Sequence, residues 1–234
     1  MSTGYGPKLV SNGLILYLNA MNTKSYPGSG STWYDLVGDN DATLLSGVSF
    51  DTNNNTKYMS FDGTSNSYAT IPYLFNSFTD TNFTWCVWVK GVTTGNENMP
   101  RIGFGSGSWE RLGFKTTSNN WVFDQYDNSG PPNIVSVSIG SQDENNWLYL
   151  AAVANYDEGY IKTYRNGILH SSGSYVSANT TNTSLNVLGL GRAGVTSWPD
   201  GRLIGSISNF SIYNRSLTDS EILQNYKSFQ IRHI

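Results

Sequence analysis

The chain has 234 residues, of which only 13% are charged, with a formal net charge of −3 and one cysteine. That length supports a sizeable core without covalent staples, and the absence of a basic run argues against a nucleic-acid partner. Cys86 cannot form an internal disulfide, and no apolar stretch approaches the roughly 18 residues that a membrane span requires.

The first segment, MSTGYGPKLVSNG, has no cationic stretch followed by an apolar one, so no secretory leader is expected. Residues 25–38, SYPGSGSTWYDLVG, surround Trp33 and Tyr34 with turn formers. Burying one such ring contributes roughly 1.5–3 kcal/mol, enough to pin a short loop to the body of the protein. FTWCVWVKG follows at 83–91, with Trp85, Val87 and Val89 on one face and Cys86 and Trp88 on the other. Bulk on both faces predicts a central strand, and a buried, unreactive thiol.

RIGFG, RLGFKT, NWVFDQYD and NIVSVSIG read as successive strands joined by tight turns, and WLYLAAVANY as another two-sided apolar run. In YIKTYRNGILHSSG, Asn166-Gly167 supplies the positive φ angles of a type I′ hairpin. LNVLGLGR and GSISNFSIYNR complete the strands. Thr218-Asp219-Ser220-Glu221 matches a capping box, with Ile222, Leu223 and Tyr226 at helical spacing behind it. The pattern predicts an all-β, two-sheet antiparallel sandwich with one short C-terminal helix. Residues 13–228 form the domain, 1–12 an arm and 229–234 a tail.

The ordered set Gly13–Ala20 (GLILYLNA), SYPGSGSTWYDLVG, Phe61-Asp62-Gly63, Phe83–Lys90, Trp147–Gly167 and GSISNFSIYNRSLTDSEILQNY resembles laminin-G-like (concanavalin A-like) jelly rolls of bacteriophage virion proteins. The resemblance implies a jelly-roll fold in which the Trp33 loop is a packing signature. It implies no single function, because this sandwich hosts lectins, glycosidases, adhesion modules and spacers.

Catalytic chemistry finds little support in the residues. Glycoside hydrolysis needs two carboxylates about 5–10 Å apart. None of Glu97, Glu110, Glu144, Glu158 and Glu221 opens the E-x-D-x-E pattern of related glucanases, and Asp124 and Asp127 fall on opposite strand faces. His170 and His233, the latter at a frayed carboxyl end, belong to no Ser or Cys triad and offer no zinc spacing. Asp39 and Asp41 are weak calcium candidates that Asx turns explain without a metal. No cofactor is expected.

Sugar binding remains as one expectation, with Trp109, Trp198, Arg101, Arg111 and Asp200 as candidate ligand contacts. Trp121, flanked by Val122 and Phe123, reads instead as core. The leading expectation from the resemblance is a non-enzymatic virion component, decorating a capsid or contributing to a tail or fibre. It would be made in the host cytoplasm, with other virion proteins as partners and rings or trimers compatible with the sequence. Its assembly contacts would be Tyr5 and Pro7 in the arm, and Phe229 and Ile231 in a strand-like tail that either a partner or the sandwich itself must bury. The alternative is a lectin-like module that contacts host surface polysaccharide.

Overall fold

The computed structural model describes residues 7–53, 55–72, 82–95, 101–105, 111–127, 133–175, 187–193 and 201–233. Along the chain lie β1 (Leu14–Asn19), β2 (Thr32–Trp33), β3 (Ala42–Leu44), β4 (Val48–Asn53), β5 (Thr56–Asp62), β6 (Ala69–Pro72), β7 (Phe83–Gly95) and β8 (Ile102–Gly105). They are followed by β9 (Arg111–Thr117), β10 (Asn120–Asp127), β11 (Asn133–Ser141), β12 (Asp143–Asn155), β13 (Tyr160–Arg165), β14 (Ile168–Ser174), β15 (Val187–Leu190) and β16 (Gly201–Tyr213). Helix α1 (Asp219–Phe229) and a 3-10 turn (Gln230–Arg232) come last.

The strands form two antiparallel sheets. One runs β14-β13-β12-β7-β16-β5-β4, with β1 also pairing with β16; the other runs β11-β10-β9-β8-β15-β6-β3-β2. β7 is central, as its two-sided bulk predicts. Trp85, Val87 and Val89 enter the core between the sheets, where Trp85 meets Phe104, Phe123 and Phe210 edge-on at 5.8 Å each. Edge-to-face contacts suit the aromatic quadrupole, so this cluster adds directional packing to plain burial. Trp121 is fully buried in the same core.

The opening loop resolves into anchor and surface. Trp33 is fully buried while Tyr34 stays 44% exposed. Ser25 clamps the two ends of the loop: its carbonyl accepts from the Tyr34 N–H at 2.7 Å, and its hydroxyl donates to the Tyr34 carbonyl at 2.6 Å. The 166–167 hairpin also forms as expected, with φ of 51° at Asn166 and 78° at Gly167.

Cys86 and Trp88 point to the opposite face of the sheet, into a second cluster with Tyr149, Val153, Tyr213 and Ile222. Full burial pushes the Cys86 thiol up to about 12, so it carries no thiolate near neutral pH. Helix α1 covers this outer face. Thr218 caps it by accepting from the Glu221 N–H, and Glu221 closes the box back onto the Thr218 N–H. Arg215 grips the same carboxylate in a two-pronged pair at 2.5 and 2.9 Å, holding it well below the usual carboxylate range at about 2. Among the described residues, no helix is long and apolar enough to cross a membrane.

Two bulges prepare the outer face for what sits on it. In β16, Ile207 and Asn209 oppose consecutive residues of β7, which leaves Ser208 as the extra residue. The inserted residue shifts the alternation, so Ile207, Phe210 and Ile212 all reach the inter-sheet core. In β12 the register passes from Asp143 opposite Gly91 to Leu148 opposite Val89. Residues 144–147 therefore bulge over the single residue Lys90.

Candidate functional site

The carboxyl end departs from expectation. In place of a strand-like tail, the capping box propagates α1 through Phe229, and the chain then tightens into the 3-10 turn. Phe229 packs half-buried against the outer cluster, 6.4 Å from the Tyr17 ring, and Ile231 is 70% exposed. His233 is not frayed. Only 7% exposed, it stacks on Trp88 and meets Trp147 edge-on at 5.1 Å. The arm folds back in the same way, with the Val10 N–H donating to the Asn225 side chain and Gln224 donating to the Lys8 carbonyl. Pro7 is exposed, and Tyr5 lies outside the described residues.

These departures build a pocket of about 200 Å³ on the outer face of the first sheet. Asn53, Asn55 and Thr56 come from the β4–β5 turn, and Lys90 from β7. Asn145, Asn146 and Trp147 come from the β12 bulge, and Arg232 and His233 from the terminal turn. The Thr56 hydroxyl donates to the Arg232 carbonyl and ties two of these walls together.

Asp143 shapes the bulge. Its Oδ1 accepts from the N–H groups of Asn145 and Asn146 at 2.9 and 2.8 Å, and its Oδ2 accepts from the Asn146 side chain at 3.0 Å. These bonds, the Asn146 amide foremost, hold the Asp143 carboxyl below its ordinary range. Turned inward on its own loop, it leaves the described lining without a carboxylate. Trp147 is half-buried, with Tyr58 edge-on at 5.5 Å and the Lys90 ammonium 5.5 Å from its ring centroid.

A second depression of about 380 Å³, lined by Met21, Asn55, Lys57, Ile231 and Arg232, adjoins the first through Asn55 and Arg232. The roomier groove between β11 and β14, about 500 Å³, presents serines, a glycine and two valines, with no ring or charged group. Size alone therefore does not select the site; the convergence of a ring, amides and cations does.

Of the candidate ligand contacts singled out from sequence, only Arg101 has a described side chain. Trp109, Trp198 and Asp200 lie outside the described residues, as does the Arg111 side chain, whose backbone opens β9. Arg101 is fully buried, which removes it from any surface site on the described part of the chain. Asp41 accepts from the Asp35 N–H at 2.8 Å, and Asp39 is exposed. Among the described residues, no group of three or more potential metal ligands comes together. The pocket's own residues were missed, although the polar run DENN ahead of Trp147 marks the bulge in the sequence.

Residues 62–223 match the Concanavalin A-like lectin/glucanases superfamily, as its Laminin_G_3 family. The chain belongs to that superfamily. No curated protein matches it. Among solved structures, this concanavalin A-like chain is similar to the binding domain of Paraclostridial Mosquitocidal Protein 1, at a TM-score of 0.67 and 17% identity, covering 93% of this chain and 52% of that one. The Botulinum Neurotoxin serotype G binding domain follows at 0.64 and 16%, covering 91% and 50%. Trypanosoma rangeli sialidase stands at 0.64 and 19%, covering 100% and 36%. The chain thus spans about half the length of the two binding domains and about a third of the sialidase. At these identities the likeness is one of fold.

Proposed function

We propose that the chain is a non-catalytic, lectin-like module that binds carbohydrate on a receptor surface through the outer-face pocket. One observation carries the reading: one pocket lining brings together Trp147 and four asparagines, Asn53, Asn55, Asn145 and Asn146. A carboxamide both donates and accepts, which matches paired sugar hydroxyls, while an aromatic face receives the apolar C–H side of the sugar ring. The superfamily includes lectins, and the neighbours named above include toxin binding domains. Hydrolysis draws no support from this pocket, because the described lining offers no pair of acids to act as acid and base.

Assembly on a bacteriophage particle, the expectation drawn from the resemblance, gains no support from the described residues of the arm and tail. Residues 8–10 and 229–233 are held by the chain's own helix and sheet. Adsorption of such a particle to host polysaccharide would use the pocket described here.

A glycan array probed with the intact chain tests the proposal. Asn53→Ala and Asn145→Ala are expected to weaken the signal roughly tenfold without moving the melting temperature, since each removes hydrogen bonds to the sugar. Trp109→Ala and Trp198→Ala should leave it unchanged. The reverse pattern would put the site at residues 106–110 or 194–200, and a flat array from folded protein would overturn sugar binding.

A further inference from the structure

We propose that the ligand is an acidic oligosaccharide, its carboxylate or sulfate held by Arg232 and Lys90 while its chain runs from the first depression into the second. The inference rests on the lectin reading above and adds the class of sugar.

Charge is its first support. The whole chain is acidic, at −3, yet the described lining of the two adjoining depressions holds Lys57, Lys90 and Arg232 and no carboxylate. Such a concentration of one sign against the net charge produces a local field that selects anions.

The second support is that these cations are not engaged elsewhere. Among the described residues, the ion pairs are Lys115–Asp124, Lys162–Asp219 and Arg215–Glu221, and none of the three pocket cations takes part. Lys90 is steadied by ring faces instead, 5.5 Å from the Trp147 centroid and 5.8 Å from that of Tyr58. A cation over an aromatic face keeps its full charge, and here no carboxylate of the lining competes for it.

Preorganisation is the third. The Arg232 backbone is fixed on one side by the Thr56 hydroxyl on its carbonyl and on the other by the buried, stacked ring of His233. Its side chain therefore starts from a set backbone position, and a planar fork is the side chain best matched to a carboxylate or sulfate. Because Arg232 and Asn55 line both depressions, the anionic group would sit at their junction with room for sugar on either side.

An array that pairs neutral backbones with their sialylated, uronate-containing and sulfated counterparts decides the matter, read with the intact chain and with Lys90→Gln and Arg232→Gln. Arg232 makes its fold contact through the backbone, so Arg232→Gln should melt as the wild type does. Signal confined to acidic members, falling roughly tenfold in either variant and weakening with salt, is the expected result. The sialylated, uronate and sulfated arms then show whether carboxylate or sulfate is preferred. Neutral members bound as well as acidic ones, or variants that bind like wild type, would overturn the acidic class while leaving sugar binding in place. Silence across both sets would overturn the lectin reading itself.

Discussion

The imidazole of His233 lies face to face with the indole of Trp88, their centroids 4.0 Å apart and their planes within 10°. Nδ1 is 2.9 Å from the Phe229 carbonyl and Nε2 is 2.6 Å from the Ser208 hydroxyl. A carbonyl only accepts, so Nδ1 carries the hydrogen; burial favours the neutral ring, in which Nε2 accepts the hydrogen bond of the Ser208 hydroxyl. The β16 bulge thus has a task beyond repacking the core: the residue it inserts is the one that meets this histidine.

Burial holds His233 near 4, well under its ordinary 6.5, with neighbouring Arg232 adding to the depression and the Phe229 carbonyl opposing it. Between those values the unfolded chain takes up a proton that the folded chain refuses, so stability must fall as pH drops through this window. The loss should reach about 3 kcal/mol by pH 4 and be absent above 6.5. Urea unfolding at pH 7.5 and 4.5, compared with His233→Phe, measures it. Equal slopes for the two proteins would contradict the assignment.

Removing residues 230–234 uncovers one side of Trp88 and Trp147. We expect a destabilisation of roughly 2–3 kcal/mol and a red-shifted tryptophan emission. A tail that serves only to contact other molecules would leave both unchanged.

Gly91 has φ of +133°, and a Cβ there would lie 2.3 Å from the Ile204 carbonyl oxygen and 2.5 Å from the Gly205 Cα. Backbone on the neighbouring strand cannot step aside, so Gly91→Ala should cost more than about 3 kcal/mol. Chemical denaturation of the variant checks this.

Trp33 and Tyr34 give a paired test of the opening loop. Trp33→Ala should cost roughly 3–5 kcal/mol, as for other large core truncations. Tyr34→Ser, at a 44% exposed ring, should stay within about 0.5 kcal/mol. Similar penalties at the two positions would reverse the division into anchor and surface.

What the sequence disclosed was local periodicity. The alternation through Trp85, Cys86, Val87, Trp88 and Val89 announces a strand packed on both sides, Asn166-Gly167 announces its turn, and Thr218 with Glu221 announces the helix start. The pocket depends on relationships that no window contains. Whether residues 144–147 bulge is decided by register against Lys90 on another strand. His233 is buried because Trp88, far away in the chain, offers it a face. Phe229 and Ile231 mimic strand alternation, but two positions carry less weight than a capped helix that is already propagating.

The wall formed by Arg232 and His233 bears on how this molecule should be handled. Because both line the same depression as Asn145 and Lys90, a bulky label coupled at either would crowd its mouth, and a silent binding assay on such material would report obstruction.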